Sequence, residues 1–139
     1  MINKKVLALL LVLLLVACQS QPAVTEETVT VAGGSYININ GEGLNTMLKD
    51  KDFVLVNVHI PFAGDIPDTD LSIPYNEITE NSYLSQLPAD KDAKIVLYCR
   101  SGRMSQIASD ELVALGYTNI WNFKNGMVEW EQAGFELDQ

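Results

Sequence analysis

Short apolar runs that alternate with stretches of helical spacing dominate the pattern of this chain. Five runs have the length of buried strands, and they cover residues 36–39, 53–58, 71–73, 94–98 and 118–123. Four stretches place apolar residues three or four positions apart, and they cover 41–49, one or two turns within 74–88, 105–115 and 127–133. Strands that alternate with helices predict an α/β domain whose parallel sheet carries helices on both faces.

The first 17 residues follow a different pattern. Lys4 and Lys5 precede an unbroken apolar run over residues 6–17, which is typical of a secretory signal peptide. The run has 12 residues, fewer than the ~20 that a membrane-spanning helix needs. Residues 15–18, Leu-Val-Ala-Cys, resemble the lipobox of bacterial lipoproteins. The sequence therefore predicts cleavage before Cys18, lipidation of that cysteine, and anchoring to the outer face of a bacterial membrane.

Residues 18–35 separate this leader from the apolar pattern. They are rich in Thr, Glu, Gln, Gly and Ala, and large apolar residues do not repeat there with a sustained period. Such a composition favours a flexible tether, although residues 29–31 have the alternation of a short strand. The predicted organisation is a signal peptide over 1–17, a tether over 18–35 and one folded domain over 36–139.

Charge limits the classes of partner. Loss of Lys4 and Lys5 with the leader leaves seven basic residues against 18 acidic ones, a formal charge of −11. A surface of this sign repels nucleic acid, so no nucleic-acid partner is expected. Arg100 and Arg103 are two of the seven remaining cations and lie within four positions of each other. They are therefore candidates for binding an anion.

Cys99 is the candidate reactive residue. It follows the apolar run of residues 95–98 and precedes Arg-Ser-Gly-Arg-Met-Ser, residues 100–105, which lead into a helix. The N–H groups and dipole of a helix start, together with guanidinium groups, can stabilise a thiolate and hold an anionic substrate. If Cys18 is acylated, Cys99 has no cysteine partner within the chain. The alternative is an inert, buried cysteine at a strand end.

Four segments in order resemble the rhodanese family of sulfurtransferases over roughly residues 36–137. They are Val-Leu-Val-Asn-Val-His at 54–59, Gly-Asp-Ile-Pro at 64–67 with Ile-Pro at 73–74, Tyr-Cys-Arg-Ser-Gly-Arg at 98–103, and Leu-Gly-Tyr at 115–117 with Asn-Gly-Met-Val-Glu-Trp at 125–130. The resemblance implies a three-layer α/β domain with a five-stranded parallel sheet. It also implies a loop over residues 99–104 whose backbone N–H groups point at the sulfur.

The resemblance further implies a function. Cys99 would be the nucleophile that takes sulfur from a small anionic donor such as thiosulfate and passes it, as a persulfide, to a thiol or cyanide, or to a protein acceptor. No metal or organic cofactor is implied. The implied substrate-binding residues are Arg100, Ser101, Gly102, Arg103, Met104 and Ser105.

Three positions depart from the family pattern. Asn57 and His59 stand where relatives usually carry aspartate and arginine, and Met104 stands where many carry a basic residue. His59 is predicted to be structural, because it occupies the place of a structural arginine. One histidine and one available cysteine cannot supply the three or four ligands of a metal site, so none is expected.

Two other functions use the same residues. A non-catalytic module that carries sulfur to a protein partner, or senses redox state, would need the same loop. A phosphatase is a weaker hypothesis, because the phosphatases that share this fold carry an arginine six positions after the cysteine, where this chain has Ser105.

Overall fold

The computed structural model describes residues 23–139. The strands are β1 (Glu26–Val31), β2 (Gly34–Ile39), β3 (Val54–Asn57), β4 (Leu71–Ser72), β5 (Ile95–Tyr98) and β6 (Ile120–Phe123). The helices are α1 (Gly41–Leu48), α2 (Asn81–Leu84), α3 (Arg103–Ala114) and α4 (Gly126–Gln132). The elements predicted between residues 36 and 139 are present, with ends shifted by a few residues.

The predicted parallel sheet is present and is extended by one antiparallel strand. The order across the sheet is β1-β2-β6-β5-β3-β4, and each neighbouring pair except β1 and β2 runs parallel. β5 lies between β6 and β3, and its four residues are all buried. Parallel strands covered on both faces need apolar side chains in both directions, which explains the unbroken Ile-Val-Leu-Tyr run. Cys99 therefore follows an interior strand of the sheet.

The side chains of β5 divide the apolar core into two layers. Ile95 and Leu97 pack in the cluster that includes side chains of α2 and α3, and Cys99 belongs to the same cluster. Val96 and Tyr98 pack on the opposite face with side chains of α1 and α4. Helices on both faces are thereby confirmed. Burial of each large aliphatic side chain stabilises the fold by about 2 kcal/mol. Because β5 buries side chains in both layers, it stabilises the packing on both faces of the sheet.

α3 ends in a motif that fixes its last turn. Gly116 has φ +91, the left-handed region that glycine adopts without strain. The Gly116 N–H donates to the Val113 carbonyl at 2.9 Å, and the Tyr117 N–H donates to the Leu112 carbonyl at 3.1 Å. These paired bonds satisfy carbonyl groups that a helix end leaves free. Gly116 therefore caps the carboxyl end of α3.

The first strand corrects the predicted domain boundary. The sequence predicts a tether over residues 18–35, whereas Glu26–Val31 form β1 and pair antiparallel with β2. Val29 and Val31 pack against the cluster on the α3 face, while Thr30 between them is exposed. Gly33, with φ +92, supplies the turn between the two strands. A half-exposed edge strand needs few large apolar residues, which is why its sequence looked like a tether.

Asn57 stands where the resemblance implies an aspartate, and its uncharged amide bonds to the chain on both sides of the loop after β3. Its Nδ2 donates to the Gly64 carbonyl at 3.1 Å and to Asp65 Oδ1 at 2.8 Å. Its Oδ1 accepts from the His59 N–H at 3.0 Å. Since Asn57 is fully buried, these bonds hold the chain at the carboxyl end of β3 without an ion pair.

The predicted signal peptide and Cys18 lie outside the residues that the structure describes. Within residues 23–139, no helix has the length and apolar character needed to cross a bilayer. Export and lipid anchoring therefore remain predictions from the sequence.

Candidate active site

Cys99 is the first residue after β5, where the backbone leaves the sheet. Its side chain is only 2% exposed. The Gly102 N–H donates a hydrogen bond to Cys99 Sγ at 3.0 Å, and the Ser105 hydroxyl oxygen lies 3.5 Å from Sγ. The Gly102 N–H can stabilise negative charge on the sulfur, because hydrogen bonds to an ionised acceptor are stronger. Residues 99–105, here named the Cys99 loop, thus surround the predicted nucleophile.

The first two carbonyl groups of the Cys99 loop are held by α4. The Met127 N–H donates to the Cys99 carbonyl at 3.0 Å, and the Val128 N–H donates to the Arg100 carbonyl at 3.0 Å. Both donors belong to the first turn of α4, where N–H groups have no acceptor within their own helix. α4 packs on the face of the sheet opposite to Cys99 Sγ, so these carbonyl oxygens are drawn away from the sulfur.

Two glycines permit this close approach. Gly102 has φ +104, and a Cβ at this position would lie 1.9 Å from the Lys124 carbonyl oxygen. Gly126 has φ +60, and its Cβ would lie 2.1 Å from the Cys99 carbonyl oxygen. Both the dihedral angles and the contacts therefore require glycine. The sequence assigned Gly102 to the site, whereas Gly126 was recognised only as part of the segment 125–130 that resembles the family.

α3 begins two residues earlier than its apolar pattern predicts, at Arg103 rather than Ser105. The reason is that an exposed arginine at the first helical position adds nothing to an apolar period. Gly102 is the N-cap, and the Ser105 hydroxyl donates to its carbonyl at 3.2 Å. The N–H groups of residues 103–105 thus belong to the first helical turn, beside the sulfur. This helix start can hold an anion.

The remaining predicted residues lie on the same loop. Arg100, Ser101 and Arg103 are exposed, and Met104 is half-buried against the cluster on the α3 face. Neither arginine pairs with a carboxylate within residues 23–139. The ion pairs in this part of the chain are Lys51–Asp70, Lys94–Asp52 and Lys124–Glu27. Both guanidinium groups therefore remain available to an anionic ligand.

His59 lies close to the Cys99 loop, which the sequence did not predict. Its backbone follows Val58, whose N–H donates to the Tyr98 carbonyl at 2.9 Å on the neighbouring strand. Burial, and then the positive charge of Arg100, lowers the pKa of His59. Its Nδ1 is buried and has no hydrogen-bond partner within residues 23–139. The imidazole is therefore neutral at pH 7, and the charge of Arg100 in the Cys99 loop affects its pKa.

A surface cavity of about 490 Å³ adjoins the Cys99 loop. One wall consists of residues 101–103 and Gln106, and the opposite wall consists of side chains from β1, β2 and the end of β6. Cys99 itself does not line the cavity, but Gly102, which donates to its sulfur, does. Sequence reasoning missed this cavity because it placed β1 in a tether.

Comparisons with known proteins agree on one family. The sequence profile of the Rhodanese-like domain matches residues 47–133. A sulfurtransferase of Allochromatium vinosum is 34% identical over 103 residues, which cover 71% of this chain and 92% of that protein. The tRNA uridine(34) hydroxylase of Erwinia tasmaniensis is 28% identical over 110 residues, which cover 74% of this chain and 30% of that longer protein.

A solved structure of a rhodanese-like protein is also similar to this chain. The crystal structure of a rhodanese-like domain protein from Staphylococcus aureus has a TM-score of 0.59 and 26% identity, and the match covers 73% of this chain and 98% of that one. The profile match includes the whole Cys99 loop together with Gly126 at the start of α4. The fold, the cysteine at the end of an interior strand and the sequence matches agree, and the chain belongs to the rhodanese-like domain family.

Proposed function

We propose that this protein is a sulfurtransferase that moves one sulfur atom from thiosulfate, or a related small anion, to a thiol or cyanide through a persulfide on Cys99. The observation that carries the proposal is the position of Cys99 Sγ, 3.0 Å from the Gly102 N–H at the start of α3. The relative named as a sulfurtransferase supports the same reaction class.

The first step loads the sulfur. The Cys99 thiolate attacks the outer sulfur of thiosulfate and forms a new S–S bond. The S–S bond of thiosulfate breaks, and sulfite leaves with the electron pair. Arg100 and Arg103, which are exposed and unpaired within residues 23–139, are placed to attract the dianion and stabilise the departing oxyanion.

The second step transfers the sulfur from Cys99 to the acceptor. An acceptor thiolate or cyanide attacks the outer sulfur of the persulfide, and the electron pair of the broken S–S bond returns to Cys99 Sγ. The product is an acceptor persulfide or thiocyanate, and the enzyme thiolate is regenerated. Division of the transfer into two displacements is nucleophilic covalent catalysis. The Gly102 N–H and the first turn of α3 can stabilise the anionic sulfur in both resting forms.

Phosphatase chemistry is less well supported. Ser105 occupies the position where the related phosphatases carry arginine, six residues after the cysteine. Its side chain is fully buried, and its hydroxyl donates to the Gly102 carbonyl. This position therefore offers no guanidinium to a phosphate.

The reaction is tested by turnover. Purified protein should form thiocyanate from thiosulfate and cyanide, and the Cys99→Ser variant should form none. Turnover with cyanide would also count against the alternative of a non-catalytic sulfur carrier that serves one protein partner. A wild-type protein that behaves like Cys99→Ser with every small donor and acceptor would contradict the proposal.

The working location is proposed from the sequence alone. Residues 15–18 support cleavage and lipidation at Cys18, which would hold the domain at the outer face of a bacterial membrane. A Cys18→Ser variant should be released from the membrane fraction or remain unprocessed. Unchanged membrane association and lipid labelling of that variant would refute the anchor.

A further inference from the structure

We propose that, in the anchored protein, the edge of the sheet that carries the Cys99 loop faces the lipid bilayer. This edge, here named the carboxyl edge, is where the parallel strands β2, β3, β5 and β6 end. The inference rests on the proposed lipid anchor at Cys18, and it adds the orientation in which that anchor holds the domain. Two observations carry it, namely the place where the chain enters the sheet and the short length of chain between Cys18 and that place.

The chain enters the sheet at the same edge as Cys99. One row of partner residues crosses β5, β6, β2 and β1, and it consists of Leu97, Asn122, Asn38 and Glu27. β5 reaches Cys99 two residues beyond this row. Because β1 runs antiparallel to β2, the residues that precede Glu27 lie on the same side of the row as Cys99. Neighbouring strands are about 4.8 Å apart, so the start of β1 lies about 14 Å across the sheet from the end of β5.

Asn40 holds the entering segment at the carboxyl edge. It follows β2 directly and is the N-cap of α1. Its Nδ2 donates to the Ala23 carbonyl at 2.8 Å, and its Oδ1 accepts from the Thr25 N–H at 3.1 Å. The same oxygen accepts from the Gly43 N–H at 3.0 Å, which ties the segment to the first turn of α1. The chain is therefore fixed to the domain from Ala23 onward.

The chain between Cys18 and Ala23 is too short to pass around the domain. Residues 19–23 extend over at most about 18 Å, whatever conformation they adopt. A folded domain that spans residues 23–139 has a diameter of about 35 Å. To turn the opposite edge of the sheet toward the lipid, the connection would have to cover roughly this diameter. The anchor can therefore bring the carboxyl edge to the bilayer, but not the opposite edge.

This orientation limits access to Cys99 by size. At Ala23 the gap between the domain and the bilayer is at most about 18 Å, which is about half the diameter of a folded domain of this size. Small solutes such as thiosulfate and cyanide pass through such a gap. A folded protein in solution does not, so a protein that approaches Cys99 would itself be held at the membrane.

The test measures the depth of two labelled positions by energy transfer to the lipid. The full chain, lipidated at Cys18 and carrying Cys99→Ser, receives one cysteine for a dye, either Asn125→Cys or Ala89→Cys. Asn125 lies between β6 and α4 at the carboxyl edge, Ala89 lies before β5 toward the opposite edge, and both residues are exposed. The protein is placed in phosphatidylcholine vesicles whose headgroups carry the acceptor dye. Because the two edges differ in depth by up to the domain diameter, energy transfer should be about tenfold faster from position 125 than from position 89.

A matched pair of insertions tests the role of the short connection. An insertion of about 20 Gly and Ser residues between Gln21 and Pro22 gives the connection a mean span of about 28 Å and a much longer maximum, so the domain can turn. The two rates should then differ by less than about twofold. The same insertion after Gln139 leaves the connection unchanged and should preserve the tenfold difference.

The outcomes separate this inference from the proposals on which it rests. Equal transfer from positions 125 and 89, or faster transfer from position 89, refutes the orientation while the anchor and sulfur transfer stand. The orientation imposed by the connection is also refuted if the insertion before Pro22 leaves the difference as large as the insertion after Gln139. If the full chain is not lipidated at Cys18, the proposed anchor fails and the orientation fails with it.

Discussion

Gly126 packs directly against the carbonyl oxygen of Cys99. A Cβ at position 126 would lie 2.1 Å from that oxygen and 2.9 Å from the Arg100 carbonyl oxygen. The next two N–H groups of α4, from Met127 and Val128, donate to the same two carbonyls. The start of α4, although 27 positions beyond Cys99 in the chain, therefore determines where the Cys99 loop lies.

The first prediction concerns Gly126→Ala. The new methyl group must displace the backbone of the Cys99 loop, and the residue must adopt φ near +60, so we expect destabilisation of about 3 kcal/mol. Displacement of the nucleophile by about 1 Å should also lower sulfur transfer about a hundredfold. Chemical denaturation and thiocyanate formation measure the two effects.

Gly134→Ala is the matched control. Gly134 has a similar positive φ, +89, but a Cβ there would have no atom within 4 Å. Its replacement should cost about 1 kcal/mol from backbone strain alone and leave turnover unchanged. If Gly126→Ala is as mild as this control in both measurements, contact between Gly126 and the Cys99 carbonyl does not position the loop.

The second prediction concerns Arg103→Ala. Loss of an exposed, unpaired guanidinium at the loop should lower kcat/KM for thiosulfate about tenfold, mainly through KM, because a dianion loses a charged partner. The effect should diminish at high ionic strength, since salt screens exposed charges. Steady-state kinetics at low and high salt make the measurement.

Lys49→Ala controls for net charge. Lys49 is exposed, lies at the end of α1 and forms no ion pair within residues 23–139. We expect its loss to change kcat/KM less than about twofold, because a distant surface charge is largely screened. Equal effects of the two substitutions would mean that overall charge, rather than Arg103, attracts the donor.

The third prediction concerns pH. His59 has a lowered pKa in the folded protein, below the value of about 6.5 in the unfolded chain. The unfolded state therefore binds the proton first as pH falls. The free energy of unfolding should decrease below about pH 6.5 until folded His59 is also protonated.

A His59→Gln variant isolates this contribution. It should show a weaker decrease in unfolding free energy between about pH 7.5 and pH 5.5 than the wild type. Because the chain has one histidine, its ring resonances in an NMR titration report the folded pKa without assignment. A titration midpoint at or above about 6.5 would contradict the burial of this imidazole beside Arg100.

Much of the fold could be predicted from local patterns. β5 is covered on both faces, so its unbroken apolar run identified a buried parallel strand, and α3 showed a regular apolar stripe ended by Gly116. β1 could not be identified in this way. At the edge of the sheet its Val residues are only partly buried and its Thr residues are exposed, and the adjacent Gly33 looked like part of a linker.

The candidate site likewise has a part that could be predicted from the sequence and a part that could not. Residues 99–105 are contiguous, so their cysteine, arginines and glycine could be recognised together in the sequence. Gly126, Asn122 and Glu27 reach the site only through the order of strands in the sheet and the packing of α4. No local spacing connects them to Cys99. The Cys99 loop was therefore predictable, whereas its support and the adjoining cavity required the structure.

The central claim is that Cys99 carries the transferred sulfur, and intact-mass analysis after exposure to thiosulfate tests it most directly. The protein should gain the mass of one sulfur atom, the added sulfur should map to the peptide that contains Cys99, and cyanide should remove it. Cys99→Ser should gain none. Absence of the adduct with thiosulfate, polysulfide and mercaptopyruvate, or an equal gain in Cys99→Ser, would contradict the proposed mechanism.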